Sequence, residues 1–227
     1  MGTFKTPEEL KDALAHPERL LSNPKKVFER FMGFAESLMN NFQIKKGNKR
    51  YWMTEIEFYI YSDKHKDIIT YPRNCPEGAW FFHRSGVDIT FKSEVDSHAR
   101  ILVRKPELTS TSLFGGILIR GIVMADNPTI YADGPFKVCD ELFDHFNAIK
   151  TPRNFPKIVK ADSPRTVCVK SGIREGMKEE GKTKVPKILS EYYCEKQRND
   201  GKLIELYTKE HDKYREKEYR FYIDPRP

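Results

Sequence analysis

Little in this chain points to metal, redox or membrane chemistry. Its four cysteines, Cys75, Cys139, Cys168 and Cys194, lie far apart with no C-x-x-C pair, so neither a zinc ribbon nor a dithiol redox site is visible and reduced thiols are expected. No apolar run is as long as a membrane span, and the segment Met1 to Pro7 holds no apolar stretch of signal-peptide length. The expected compartment is therefore the cytoplasm, with association to the nucleoid if the source is bacterial. No internal repeat occurs. The charge excess is small: 40 Lys+Arg against 33 Asp+Glu give +7, which permits an anionic partner such as nucleic acid without requiring one.

What is present is the composition of a folded domain. A 227-residue chain with 38% hydrophobic and 12% aromatic residues can bury one substantial core, and a single domain over 1–227 is expected. Two helices are read in residues 1–41. The first runs from Pro7 to about Ala15, with Thr6 as N-cap and Glu9 at capping-box spacing. The second follows Asn23-Pro24 and carries Val27, Phe28, Phe31, Phe34, Ala35, Leu38 and Met39 at helical spacing, a core stripe.

Residues 42–149 read as β-rich. Phe42 to Ile44 and Tyr51 to Tyr61 pair across a Lys46 to Lys49 turn, and Gly78 to His83 and Val87 to Lys92 pair across Arg84-Ser85-Gly86. Ile101 to Val103 and the nearly apolar Gly116 to Val123 add strands, the last of them central. Gly134-Pro135 opens a helix over Phe136 to Ala148 with Val138, Leu142, Phe143 and Phe146 inward. Residues 150–218 form a variable region of thin periodicity, read as surface loops, and 219–224 close the chain as a strand.

The most distinctive stretch is Met53 to Tyr61. Its alternation sets Glu55, Glu57, Tyr59 and Tyr61 on one face and Ile56, Phe58 and Ile60 on the other. Strand interiors are poor in glutamate, so two carboxylates beside two phenols, with His65 and Asp67 following, read either as a solvated strand face or as a carboxylate site beside an aromatic wall.

Six blocks then fall into one order. Glu55-Ile56-Glu57-Phe58-Tyr59 resembles the E-T-E-A-Y strand of the alkyladenine (3-methyladenine) DNA glycosylase family, and Pro72-Arg73-Asn74 its T-P-R-N segment. Gly78 to Gly86 resembles its G-x-L-Y-V-Y-x-x-Y-G hairpin, and Gly116 to Arg120 its V-L-L-R-A strand. Gly134 to Cys139 resembles G-P-x-K-L-C, and Arg220 to Ile223 the closing R-F-Y-V. The resemblance covers about residues 42 to 149 and the last few.

It implies an α+β fold: a single domain with a curved antiparallel or mixed sheet, a protruding β-hairpin and flanking helices. It also implies a cofactor-free, metal-free monomer that acts on DNA, either damaged duplex or an unpaired base, and hydrolyses the N-glycosidic bond of a flipped, alkylated or deaminated purine. By the same resemblance Glu57 activates water and Arg120 holds Glu57 ionised and positions that water. Tyr59, His65 and Phe82 line the base pocket, Tyr59 and Phe82 on opposite faces of the purine, while Arg73, Arg84, Ser85 and Lys92 contact DNA.

The chain departs from the family pattern at three places. Ser85 stands where the family inserts a tyrosine into the duplex, so Arg84 would stack in its place or the substrate is already unpaired. Lys92 falls near the asparagine that excludes guanine, and Phe82 replaces a tyrosine. These departures leave an inactive or retargeted relative open. Two other readings stand beside the glycosylase: a metal-dependent nuclease using Glu57, His65, His83, Asp88 and Lys92, and a non-catalytic nucleic-acid-binding module holding phosphates with Lys45 to Arg50 and Lys182 to Lys187.

Overall fold

The computed structural model of the chain describes residues 3–95, 102–104, 106–144, 146, 149, 154–175, 192–193 and 201–223. Helix α1 (Pro7–Ala15) begins as the sequence reads: the Thr6 hydroxyl accepts from the Glu9 N–H at 3.3 Å and the Glu9 carboxylate accepts from the Thr6 N–H at 3.0 Å. Where one further helix was expected there is a short helix α2 (Glu18–Leu21), a 3-10 turn opened by Pro24, and then α3 (Val27–Asn41). Proline lacks an N–H and is at home in a first helical turn, so Pro24 starts a new turn instead of continuing α2. Helix α3 buries Phe31, Phe34, Ala35, Leu38 and Met39.

Strand β1 (Phe42–Lys46) turns through Gly47-Asn48 into the long β2 (Lys49–Ser62). Gly47 has φ +59 there, a conformation glycine supplies without steric cost and two-residue hairpin turns require. Next come β3 (His65–Lys66), β4 (Trp80–His83), β5 (Gly86–Thr90), β6 (Leu113–Met124) and β7 (Tyr131–Asp133), then helix α4 (Pro135–Phe143). Strands β8 (Lys157–Lys160) and β9 (Val169–Gly172), helix α5 (Gly201–Arg215) and strand β10 (Arg220–Ile223) follow. Leu102 makes only an isolated bridge to Arg73, and Ile101 lies outside the described residues. Helix α4 ends at Phe143, short of the expected Ala148, which itself lies outside the described residues. The 150–218 segment, read as loops, supplies two strands and a helix.

Among the described residues all strands join one curled antiparallel sheet, a half-barrel in the order β4-β5-β6-β2-β1-β8, with β10 joining β2 to β9. The β4 edge meets the chain entering β8, where the Trp80 indole N–H donates to the Pro156 carbonyl at 2.9 Å. One face carries the main core: Phe58 stacks on Phe31 at 4.5 Å and meets Phe221 edge-on at 5.5 Å, with Ile56, Ile60, Ile117 and Ile119 around them. Burying each such side chain contributes about 1.5–3 kcal/mol.

Alternation along β2 breaks once, and the break shapes the site. Met53 and Ile56 are both in the core although three apart, because the β2–β6 register shifts on either side of Glu55, with Thr54 and Arg120 as the extra residues. Gly121 makes this possible: a Cβ there would sit 2.5 Å from the Thr54 hydroxyl oxygen and 3.1 Å from the Glu55 Cβ. Such bulges re-aim side chains. Here the re-aimed ones are Glu55 and Arg120.

His65 lies on the core face, on β3. It is buried among Tyr214, Tyr219 and Phe31, with its Nε2 lacking a partner. Burial, helped by Arg174, Lys213 and Lys217, lowers its pKa to about 3, so the ring is neutral in the fold. An unfolded histidine takes a proton near pH 6.5, so folding stability is full above that pH and is lost as pH falls from 6.5 toward about 3, by about 1.4 kcal/mol per pH unit. His65→Phe keeps the aromatic packing and removes the titration. Its melting temperature is expected to fall less than the wild type's between pH 7 and pH 4.5, and equal falls would reject this assignment.

Candidate active site

The face opposite the core carries the charges. Across the sheet, Arg220, Glu57, Leu118, Asp88 and Phe81 lie in register on β10, β2, β6, β5 and β4, and residues paired in this way point to the same face. Glu55 and Glu57 are both fully buried, which removes the solvated-face reading of the acidic stripe.

Glu57 is held from several directions. Its Oε2 accepts from the Tyr59 hydroxyl at 2.8 Å, its Oε1 accepts from the Glu175 backbone N–H at 2.6 Å, and the Arg120 Nε lies 3.5 Å from Oε1. Burial raises its pKa, against the opposing pull of Arg120, the Glu175 amide, Tyr59 and Arg174. The carboxyl is thereby a stronger base than a solvated glutamate. Arg120 does not belong to Glu57 alone: its Nε donates to Glu55 Oε1 at 2.9 Å, and the Arg220 Nε donates to the same oxygen at 2.8 Å. The two carboxylates thus differ in kind. Glu55 is clamped between two arginines, while Glu57 sits between neutral donors with one arginine at longer range.

A second polar cluster occupies the same face. Arg73 Nη1 donates to Asp88 Oδ2 at 2.6 Å, and His83 Nε2 lies 2.9 Å from Asp88 Oδ1. Because His83 Nδ1 accepts from the Ser85 N–H at 3.2 Å, Nε2 carries the ring proton toward Asp88. Burial alone would raise the Asp88 carboxyl, but Arg73 and His83 outweigh it and hold its pKa low. Arg73 stacks over Phe81 at 3.9 Å and passes over Gly116, where a Cβ would come within 2.9 Å of both its Nη1 and the Asp88 Cβ.

Several expected site residues are placed elsewhere. Phe82 is on the core face: it pairs with Val87, is 52% exposed, and meets Phe143 edge-on at 4.7 Å. It therefore cannot face Tyr59 across a base held at Glu57. Aromatic residues on the carboxylate side include Tyr59, Tyr61 and Phe81, with Tyr71 beside His83 at 4.7 Å and beside Tyr192 at 5.0 Å. His65, on the core face, makes no ring contact with Tyr59. Arg73, assigned to DNA, is completely buried and committed to Asp88, so it meets no phosphate. Arg84 is exposed at the β4–β5 turn, Ser85 lies beside the Tyr71 hydroxyl at 3.0 Å, and Lys92 is exposed while its N–H donates to the Leu14 carbonyl.

The residues of the two other readings lie as follows. In the nuclease set, His83 and Asp88 meet, but Asp88 is bound to Arg73 and His65 is on the other face, and among the described residues no three His, Cys, Asp or Glu side chains gather as a metal-binding group. In the basic stretch Lys45 to Arg50, Lys46 pairs with Asp144, Lys49 with Glu141 and Arg50 with Asp162. Lys182 to Lys187 lies outside the described residues. No helix among the described residues is long and apolar enough to cross a membrane. No family model, curated protein or solved structure matches the chain.

Proposed function

We propose that this protein hydrolyses the N-glycosidic bond of a damaged purine in DNA, with Glu57 as the base that activates water. The observation that carries the reading is the environment of Glu57: a carboxylate without solvent exposure, fixed through both oxygens by Tyr59 and the Glu175 amide, with a pKa that burial has raised. Buried, oriented and perturbed carboxylates are what general-base sites need. Breaking the bond develops oxocarbenium charge at the sugar, which the same carboxylate stabilises. Arg120, whose Nε lies 3.5 Å from Glu57 Oε1, favours the ionised carboxylate against burial, and it is itself anchored on Glu55.

The base-binding wall is assigned to Tyr59 with Tyr71 and His83, in place of His65 and Phe82. A changed wall favours a retargeted base preference over loss of activity, because the carboxylate and its donors are all in place. The test is a panel of duplex and single-stranded oligonucleotides bearing ethenoadenine, methylated purines or hypoxanthine, scored for alkali-labile abasic sites with and without EDTA. Abasic sites that survive the chelator are expected. Strand cleavage lost in EDTA would instead support the nuclease.

A further inference from the structure

Arg174 lies in a stretch without readable periodicity, and it is completely buried. Its Nη1 donates to Asp67 Oδ2 at 2.7 Å and to the Phe58 carbonyl at 3.1 Å, and its Nη2 donates to Asp67 Oδ1 at 3.2 Å and to the Tyr214 carbonyl at 2.7 Å. One guanidinium thus ties together β2, the turn after β3 and the end of α5. Burial raises the Asp67 carboxyl, while the same pair raises Arg174. With two nitrogens on two oxygens, the ion-paired state is the one this geometry holds.

Two paths lead from this guanidinium to Glu57, one to each carboxylate oxygen. Its plane lies over the Tyr59 ring at 4.6 Å, and the Tyr59 hydroxyl donates to Glu57 Oε2. The next residue in the chain is Glu175, whose N–H donates to Glu57 Oε1. Glu175 is held a second time, by Arg220 Nη1 at 2.6 Å from its carboxylate. A buried arginine fixed at four acceptor atoms is a rigid mount, and here it carries both donors that orient the carboxylate.

We propose that Arg174, locked by Asp67, is the positioning residue of Glu57: it holds the Tyr59 hydroxyl and the Glu175 amide on the two oxygens and so sets the direction in which Glu57 accepts a proton. The inference rests on Glu57 being the water-activating base, but its primary test reads the ionisation of Glu57 and needs no substrate. Protein labelled with carbon-13 at glutamate carboxyls is titrated by NMR, with the Glu57 signal assigned through Glu57→Gln.

In Arg174→Lys, which keeps the charge and loses the fork, the Glu57 midpoint is expected to rise by about one pH unit, since the donors that favour the ionised form are released. Glu175→Pro removes the N–H from that oxygen together with the carboxylate on Arg220 and should raise the midpoint in the same direction, whereas Glu175→Ala loses the same carboxylate but keeps the N–H and should not. In base release, the acid limb of the pH profile should move up with the midpoint and kcat should fall about tenfold with KM near its wild-type value. An unmoved Glu57 midpoint in Glu175→Pro and in folded Arg174→Lys, or an equal rise in Glu175→Ala, overturns the proposal. Shifted midpoints in a protein that releases no base would retain the positioning role and reject the glycosylase reading.

Discussion

Glu57→Gln is expected to lose about 10²–10⁴-fold in base release while binding DNA as tightly as the wild type and melting no lower. An amide of the same shape cannot take a proton from water. It can still accept from the Glu175 N–H with its oxygen and meet the Tyr59 hydroxyl with its nitrogen, so the local packing survives. Burial raises the pKa of Glu57, so the fold prefers this group protonated, and keeping it ionised costs stability increasingly as pH rises above the ordinary carboxyl range. A neutral amide removes that cost at neutral pH. Single-turnover base release, DNA affinity and melting temperature measured on one preparation check the prediction. A variant that melts well below wild type would make Glu57 a structural residue instead.

Asp88→Ala should have the largest effect on the fold, a loss of about 3–5 kcal/mol, because it leaves the Arg73 guanidinium buried without its counter-ion. Arg73 and Asp88 are both fully buried and 2.6 Å apart, with His83 on the other carboxylate oxygen. The acid side reinforces this. Asp88 is held below its usual pKa, so the stability it contributes is present at neutral pH and is lost as pH falls through its lowered value. Urea unfolding should show a lower midpoint with an unchanged slope, and Asp88→Asn should lose less. A change under about 1 kcal/mol in Asp88→Ala would mean that the pair is not sealed as described.

The acidic stripe was legible because Ile56, Phe58 and Ile60 alternate with Glu57, Tyr59 and Tyr61, and pairing keeps that parity. The bulge that brings Glu55 and Arg120 together was not, since it depends on how β2 registers against Gly121. Parity also explains the exchange of Phe81 for Phe82. In Trp80-Phe81-Phe82-His83 every residue is aromatic, and only Asp88, paired with Phe81, shows which of them faces the carboxylates. Arg73 reads as a loop cation beside Pro72 and Asn74, and the partner that buries it is fifteen residues away. An acidic residue between Val87 and Ile89 of an expected strand was the available signal for that cluster. Arg174 had none: its neighbours lack periodicity, and its value lies in contacts with Phe58, Asp67 and Tyr214 that only the folded chain brings together.

Mass spectrometry of the products formed from a lesion-bearing oligonucleotide tests the central claim most directly. Equal amounts of free purine and abasic strand are predicted, formed by the wild type with EDTA present and not by Glu57→Gln. Intact substrate across duplex and single-stranded lesions, or base release undiminished in Glu57→Gln, would contradict it.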